Sequence, residues 1–251
     1  MIELSDVHVT FNPGTPLETK ALRGVSLNVP EGQFLTVIGS NGAGKSTCLN
    51  LIAGLCRPAS GTVAVAGDDI SDWPIYRRSK FLSRVFQDPK MGTCEDLTIL
   101  ENFALAQGRT RPRGFRMAVT RTIKDEAAER LKVLGLGLES RLHDKVGLLS
   151  GGQRQAVSLL MATAALDPKT AGFVLELTQS IVAELKLTVV MVTHSMAQAL
   201  HVGDRTVMFH RGRIVTDIDG PKRAAMHVND LLALFKQEQH EELSDDALLL
   251  G

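Results

Sequence analysis

Lys45 and Ser46 fall near the end of the run Gly39-Ser40-Asn41-Gly42-Ala43-Gly44-Lys45-Ser46-Thr47, whose residue types and spacing suit it to hold a chain of phosphates. Glycines at 39, 42 and 44 let the backbone turn its N–H groups inward around anionic oxygens. Lys45 brings a point charge to the terminal phosphates, and Ser46 offers a hydroxyl to Mg²⁺. The pattern implies binding of a nucleoside triphosphate. The elements that must position such a loop are also legible. The apolar run 34–38 reads as a buried strand leading into it, and 45–53, closed by Gly54, reads as a helix whose N-terminal N–H groups face the anion.

Composition sets bounds. The 251 residues suffice for one large α/β domain or a domain with an inserted lobe. Basic and acidic residues balance at 28 each, so no global charge points to nucleic acid or to an anionic membrane. No apolar run approaches the roughly 18 residues of a membrane span, and no charged-then-apolar leader follows Met1, so the expectation is a chain whose membrane work needs a separate subunit. Three cysteines, Cys48, Cys56 and Cys94, lack ligand spacing and fit a reducing compartment without a structural metal. Cys48, just past the loop, reads as a small buried thiol rather than a redox handle.

Alternating apolar and polar residues predict strands over 2–10 and 21–29, joined by the turn-rich segment Asn12-Pro13-Gly14-Thr15-Pro16, and a further short strand over 62–66. From 98 to 147 the pattern turns helical, with Ala127, Leu131 and Leu134 on one face, and reads as an inserted helical lobe. Its basic cluster, Arg109, Arg111, Arg113, Arg116 and Arg121, lacks interleaved aromatics and reads as a solvated face rather than a nucleic-acid surface. The tail 236–251 is acidic.

A second motif, Leu149-Ser150-Gly151-Gly152-Gln153-Arg154-Gln155, has the physical sense of a helix start: Ser150 caps, while Gly151 and Gly152 leave N–H groups open to a phosphate. With both motifs in this order the chain resembles the ATP-binding cassette (ABC) ATPases, specifically the detached ATPase subunit of an importer. The resemblance implies an α/β fold, a P-loop NTPase core of the ABC ATPase type with an antiparallel β subdomain and an inserted helical subdomain. It divides the chain into a nucleotide-binding core over 1–87 and 164–235 and a helical lobe with the signature motif over 88–163. It implies ATP and Mg²⁺ as cofactors, bound by Gly39, Ser40, Asn41, Gly42, Ala43, Gly44, Lys45, Ser46 and Thr47 of one chain and by Ser150, Gly151, Gly152 and Gln153 of a second copy. Gln87 sits where the family has its Mg²⁺ and water-sensing glutamine, so Ser46 and Gln87 are the implied metal ligands. His194 sits where the family has the histidine that contacts the γ-phosphate, and Phe11 falls near its adenine-stacking aromatic. Residues 164–168, with Asp167 at a helix cap and Pro168 after it, resemble the loop that touches the opposite subunit.

One departure from the family is large. Relatives carry, between the signature helix and the Asp167 loop, an aliphatic strand ending in Asp-Glu, whose Asp supports Mg²⁺ through water and whose Glu polarises the attacking water. Here Leu159-Leu160-Met161-Ala162-Thr163 runs straight into Ala164-Ala165-Leu166-Asp167, and no apolar run ends in Asp-Glu elsewhere. Roughly a dozen residues are missing, enough for a short loop and a strand. Glu176 is no obvious substitute, because Phe173, Leu177, Ile181 and Leu185 recur at helical spacing around it.

The function implied is that of an ATP-binding subunit powering transport of a small solute, such as an amino acid, through a separate permease. It would act as a cytoplasmic homodimer, peripheral on the inner face of the membrane, with a soluble solute-binding protein as a further partner and no nucleic acid. The permease surface implied is near 87–99, where Met91, Leu97 and Ile99 offer apolar contacts or fill the lobe's core. With its Asp-Glu pair missing, the chain has two further readings: a non-hydrolysing regulatory subunit, or a damaged product.

Overall fold

Alternation of apolar and polar side chains over the first thirty residues produces two antiparallel strands, β1 (Ile2–Phe11) and β2 (Thr19–Val29), with Leu4, Val7, Val9, Leu22, Val25 and Leu27 turned inward. The computed structural model describes residues 1–86, 88–109, 117–132, 134–163, 187–234 and 236. β4 (Ser60–Val65) pairs with the other edge of β1, and β5 (Asp68–Asp69) completes a four-stranded sheet in the order β2-β1-β4-β5. The strand expected over 62–66 begins two residues earlier and stops before Ala66. Ala66 and Gly67, with φ of 54° and 89°, form the two-residue hairpin that the strand twist favours.

A second sheet holds β3 (Phe34–Gly39) between β6 (Val189–Val192) and β7 (Arg205–His210), both parallel to it, with β8 (Arg213–Asp219) antiparallel on β7. A parallel strand covered on both faces reads as a continuous apolar run, as residues 34–38 do. Its one polar member, Thr36, donates to the carbonyls of Ala199 and Arg205 and meets the Thr206 hydroxyl at 2.8 Å. Helix α1 (Lys45–Ala53) follows and stops at Gly54 with φ 84°, the helix and the stop expected from the sequence. β6 forms its ladder over 189–192 within the apolar run 187–193. Among the described residues β6 pairs with β3 alone, so it is the edge of this sheet, and its four side chains are half-buried.

The chain divides into two units: Met1–Asp72 with Lys186–Gly251, which contains both sheets, and Trp73–Leu185. The second unit carries the helices α2 (Ile75–Arg78), α3 (Ile99–Gly108), α4 (Arg121–Lys132) and α5 (Gly151–Thr163). α3 starts on a reciprocal capping box between Thr98 and Glu101. Buried Asn102 staples the preceding loop, accepting from the Cys94 N–H and donating to the carbonyls of Cys94, Leu97 and Thr98. Ala127, Leu131 and Leu134, the face expected from periodicity, are all buried. Arg109 departs from the solvated face expected of the basic cluster: it is half-buried, burial depresses its pKa, and its Nη2 donates to the Ala162 carbonyl at 2.6 Å. Arg121 is exposed, as expected; Arg111, Arg113 and Arg116 lie outside the described residues. No helix among the described residues is long and apolar enough to cross a membrane.

Candidate nucleotide site

The phosphate loop leaves the sheet at Gly39, where φ is 143° and a Cβ would sit 2.2 Å from the Phe209 carbonyl oxygen of β7. Only glycine lets β3 end flush against β7, and this fixes where the loop begins. Gly39→Ala is therefore expected to lower the melting temperature by about 5 °C, read from a thermal melt. Gly42, at φ 79°, faces open space: a Cβ there would meet nothing within 4 Å, as a loop that must admit a phosphate requires.

Lys45 is only 5% exposed, and its Nζ donates to the carbonyls of Gly39 at 2.8 Å and Ser40 at 2.7 Å. Burial lowers its pKa from the usual lysine value. The ammonium is thus already desolvated and held over the loop by two neutral acceptors, which an anionic phosphate oxygen would exceed in strength. Ser46 is exposed in the first turn of α1, beside the loop's backbone donors. These residues suit a Mg²⁺-bound triphosphate: glycines at positive φ at 42 and 44, one buried cation and an exposed hydroxyl at a helix N-terminus. Cys48 behind them is buried, and burial pushes its thiol up to about 12, which leaves it inert as a redox group.

Two more candidates lie at strand ends of the two sheets. Val192 pairs with Val37 at the end of the parallel β6–β3 ladder, the Thr193 N–H adds a last bond to the Val37 carbonyl, and His194 follows in the turn that leaves β6. His194 is exposed, and the turn that carries it leads into helix α6 (Met196–His201), capped by Ser195. Phe11, 40% exposed, pairs with Thr19. Ala21, two residues along β2 and so roughly 7 Å away, presents its carbonyl 2.8 Å from where a Cβ on Gly44 would lie. Gln87 lies outside the described residues, as do Asp167, Pro168 and Glu176.

In the second unit the signature motif forms a reciprocal cap: the Gln153 N–H donates to Ser150 Oγ at 3.3 Å and the Ser150 N–H to Gln153 Oε1 at 3.2 Å. Gly151 and Gly152 are exposed, with nothing within 4 Å of a Cβ position on either. The next residue is an anchor that pattern reading missed. Arg154 is buried; its Nη1 pairs with Glu95 and its Nη2 donates to the Gly147 carbonyl at 3.1 Å, tying the start of α5 to the loop before α3. Asp88 is already engaged as the cap of a short 3₁₀ turn, accepting from the Lys90 N–H.

The family model for ABC transporters matches residues 22–169. A tyrosine transport ATP-binding protein of Clostridioides difficile is 37% identical, over 94% of this chain and 99% of its own length. An energy-coupling factor transporter ATP-binding protein of Lactiplantibacillus plantarum is 34% identical, over 85% of this chain and 76% of its own. Among solved structures, a dimeric ATP-binding cassette in a post-hydrolysis state, bound to ADP and phosphate, superposes with a TM-score of 0.72 at 28% identity, covering 87% of this chain and 98% of that one. Phosphate loop, capped signature helix and these likenesses converge: the chain belongs to the ATP-binding cassette family of transporter ATPases.

Proposed function

We propose that this chain is the ATP-binding subunit of an importer for a small solute of the amino-acid class, binding Mg-ATP and acting on a separate permease as a dimer. The observation that carries the reading is the braced phosphate loop, with buried Lys45 held by the carbonyls of Gly39 and Ser40 and His194 in the turn that leaves β6, the parallel neighbour of β3. The backbone of 42–47 and Lys45 would hold the triphosphate, Ser46 and Gln87 the metal, and Phe11 the base. When bound, Mg²⁺ neutralises charge on the phosphates. His194 would donate to the γ-phosphate, and Ser150, Gly151 and Gly152 of a second copy would close on the same nucleotide. The relative named for tyrosine transport, matched along nearly its whole length, supports the amino-acid class. A soluble solute-binding protein and attachment at the inner membrane face complete the proposal.

The permease surface belongs on the second unit, where a cavity of about 330 Å³ is lined by Arg84, Met91, Thr93, Leu105, Arg109 and Met161 among others. Met91 is 68% exposed and adaptable enough to receive a partner helix. Ile99, expected as a possible contact, is instead core at 1% exposure, because the first turn of α3 packs inward; Leu97 is half-buried. A cysteine placed at 91 should crosslink to a co-expressed permease. Crosslinks confined to the acidic tail 236–251 would refute this docking face.

A further inference from the structure

His194 projects from a turn whose backbone is clamped on both sides by one buried hydroxyl. Thr193, 6% exposed, donates its Oγ1 hydrogen to Gln198 Oε1 at 2.8 Å and accepts the Ser195 N–H at 3.1 Å. Its own N–H continues the β6–β3 ladder to the Val37 carbonyl at 3.1 Å. Gln198 in turn donates its N–H to Ser195 Oγ at 3.2 Å, closing a ring of hydrogen bonds around position 194. The far side of the ring is rigid, because the Ala199 carbonyl accepts from Thr36, Thr206 and Arg223 and so pins α6 to the sheet. From strand to helix, the two residues flanking His194 have their positions set by Thr193 and Gln198, while the imidazole itself stays exposed.

We infer that Gln198 is a positioning residue: through the Thr193 hydroxyl it fixes the turn that aims His194 at the terminal phosphate, and it thereby sets how strongly the site prefers a triphosphate over a diphosphate. The inference rests on the γ-phosphate role proposed for His194. Its chemistry is specific, since the clamp needs an oxygen acceptor at 198. Gln198 is exposed, so its truncation removes the acceptor without opening the core.

The test compares the affinities of the full-length chain for ATPγS and for ADP, each with Mg²⁺, by calorimetry. Gln198→Ala is expected to reduce the preference for the triphosphate by about 3- to 10-fold with ADP affinity unchanged. Gln198→Glu, which keeps the acceptor, should retain most of the preference, and Thr193→Val should lose it as Gln198→Ala does. His194→Ala is the reference. If it loses the preference while Gln198→Ala does not, the clamp is overturned and the γ-phosphate contact stands. If His194→Ala has no effect, the contact itself is wrong and the inference falls with it. Equal loss of ADP and ATPγS affinity in Gln198→Ala would show a merely structural role and would also overturn the proposal.

Discussion

Lys45→Ala is expected to weaken Mg-ATP binding by about 30-fold or more, because a hydrogen bond from an ionised donor to a charged acceptor contributes about 1.5–3 kcal/mol and in the proposed complex this ammonium would meet the terminal phosphates. The free protein gives the physical ground. The side chain is buried, its pKa is lowered by that burial, and its Nζ is held by the Gly39 and Ser40 carbonyls. Burial has therefore removed part of its hydration before a phosphate arrives, so part of the desolvation cost does not fall on binding. Lys45→Arg should also bind poorly: the planar fork is too wide for a gap sized by contacts of 2.7 and 2.8 Å. Titration of both variants with ATP by calorimetry or fluorescence measures the effect. Unchanged affinity in Lys45→Ala would remove the central assignment of the site.

The parts of this molecule that were legible in its sequence are those where a local pattern has one physical solution. A glycine-rich run before Lys45 needs a strand in front and a helix behind, and β3 and α1 lie there, α1 closing at Gly54 as expected. Period-2 alternation placed β1 and β2, and period-3.6 spacing placed the buried face of α4. What was not legible depends on contacts between segments far apart in the chain. Nothing local marks Arg154 as the anchor of the signature helix, since its partner Glu95 is 59 residues earlier. Arg109 looked like one of a solvated series until the Ala162 carbonyl, 53 residues later, gave its guanidinium an acceptor. Ile99 looked available to a partner because exposure cannot be read from an apolar residue at a helix start. The Thr193–Gln198 clamp is local, but threonine and glutamine five residues apart carry no sequence signature.

Insertion of a family-like aliphatic strand ending in Asp-Glu after Thr163 is expected to raise ATP turnover at least 100-fold, since general-base assistance alone contributes about 10² to 10⁴. The same insertion should raise the melting temperature by several degrees. Two observations motivate it. The chain passes from Ala162-Thr163 directly to Ala164-Ala165 with no Asp-Glu pair, and the alignment to the tyrosine transport relative spans 251 positions while taking in only 94% of this chain, so the relative carries residues with no counterpart here. The sheet adds the second: among the described residues β6 is an edge strand, though its sequence Val-Val-Met-Val is that of a strand flanked on both sides. Geometry links the two effects. Helix α5 spans thirteen residues and so rises roughly 20 Å, and a strand of about six residues runs a similar distance, long enough to pair with the four residues of β6. Phosphate release and a melting curve, matched for ATP and Mg²⁺, separate the catalytic claim from the structural one. A native chain that already turns over as fast as the insertion variant would mean that another carboxylate activates the water. Asp88 is a poor candidate, because its oxygen already accepts the Lys90 N–H; a Glu176→Gln variant would then decide whether that residue has taken the role.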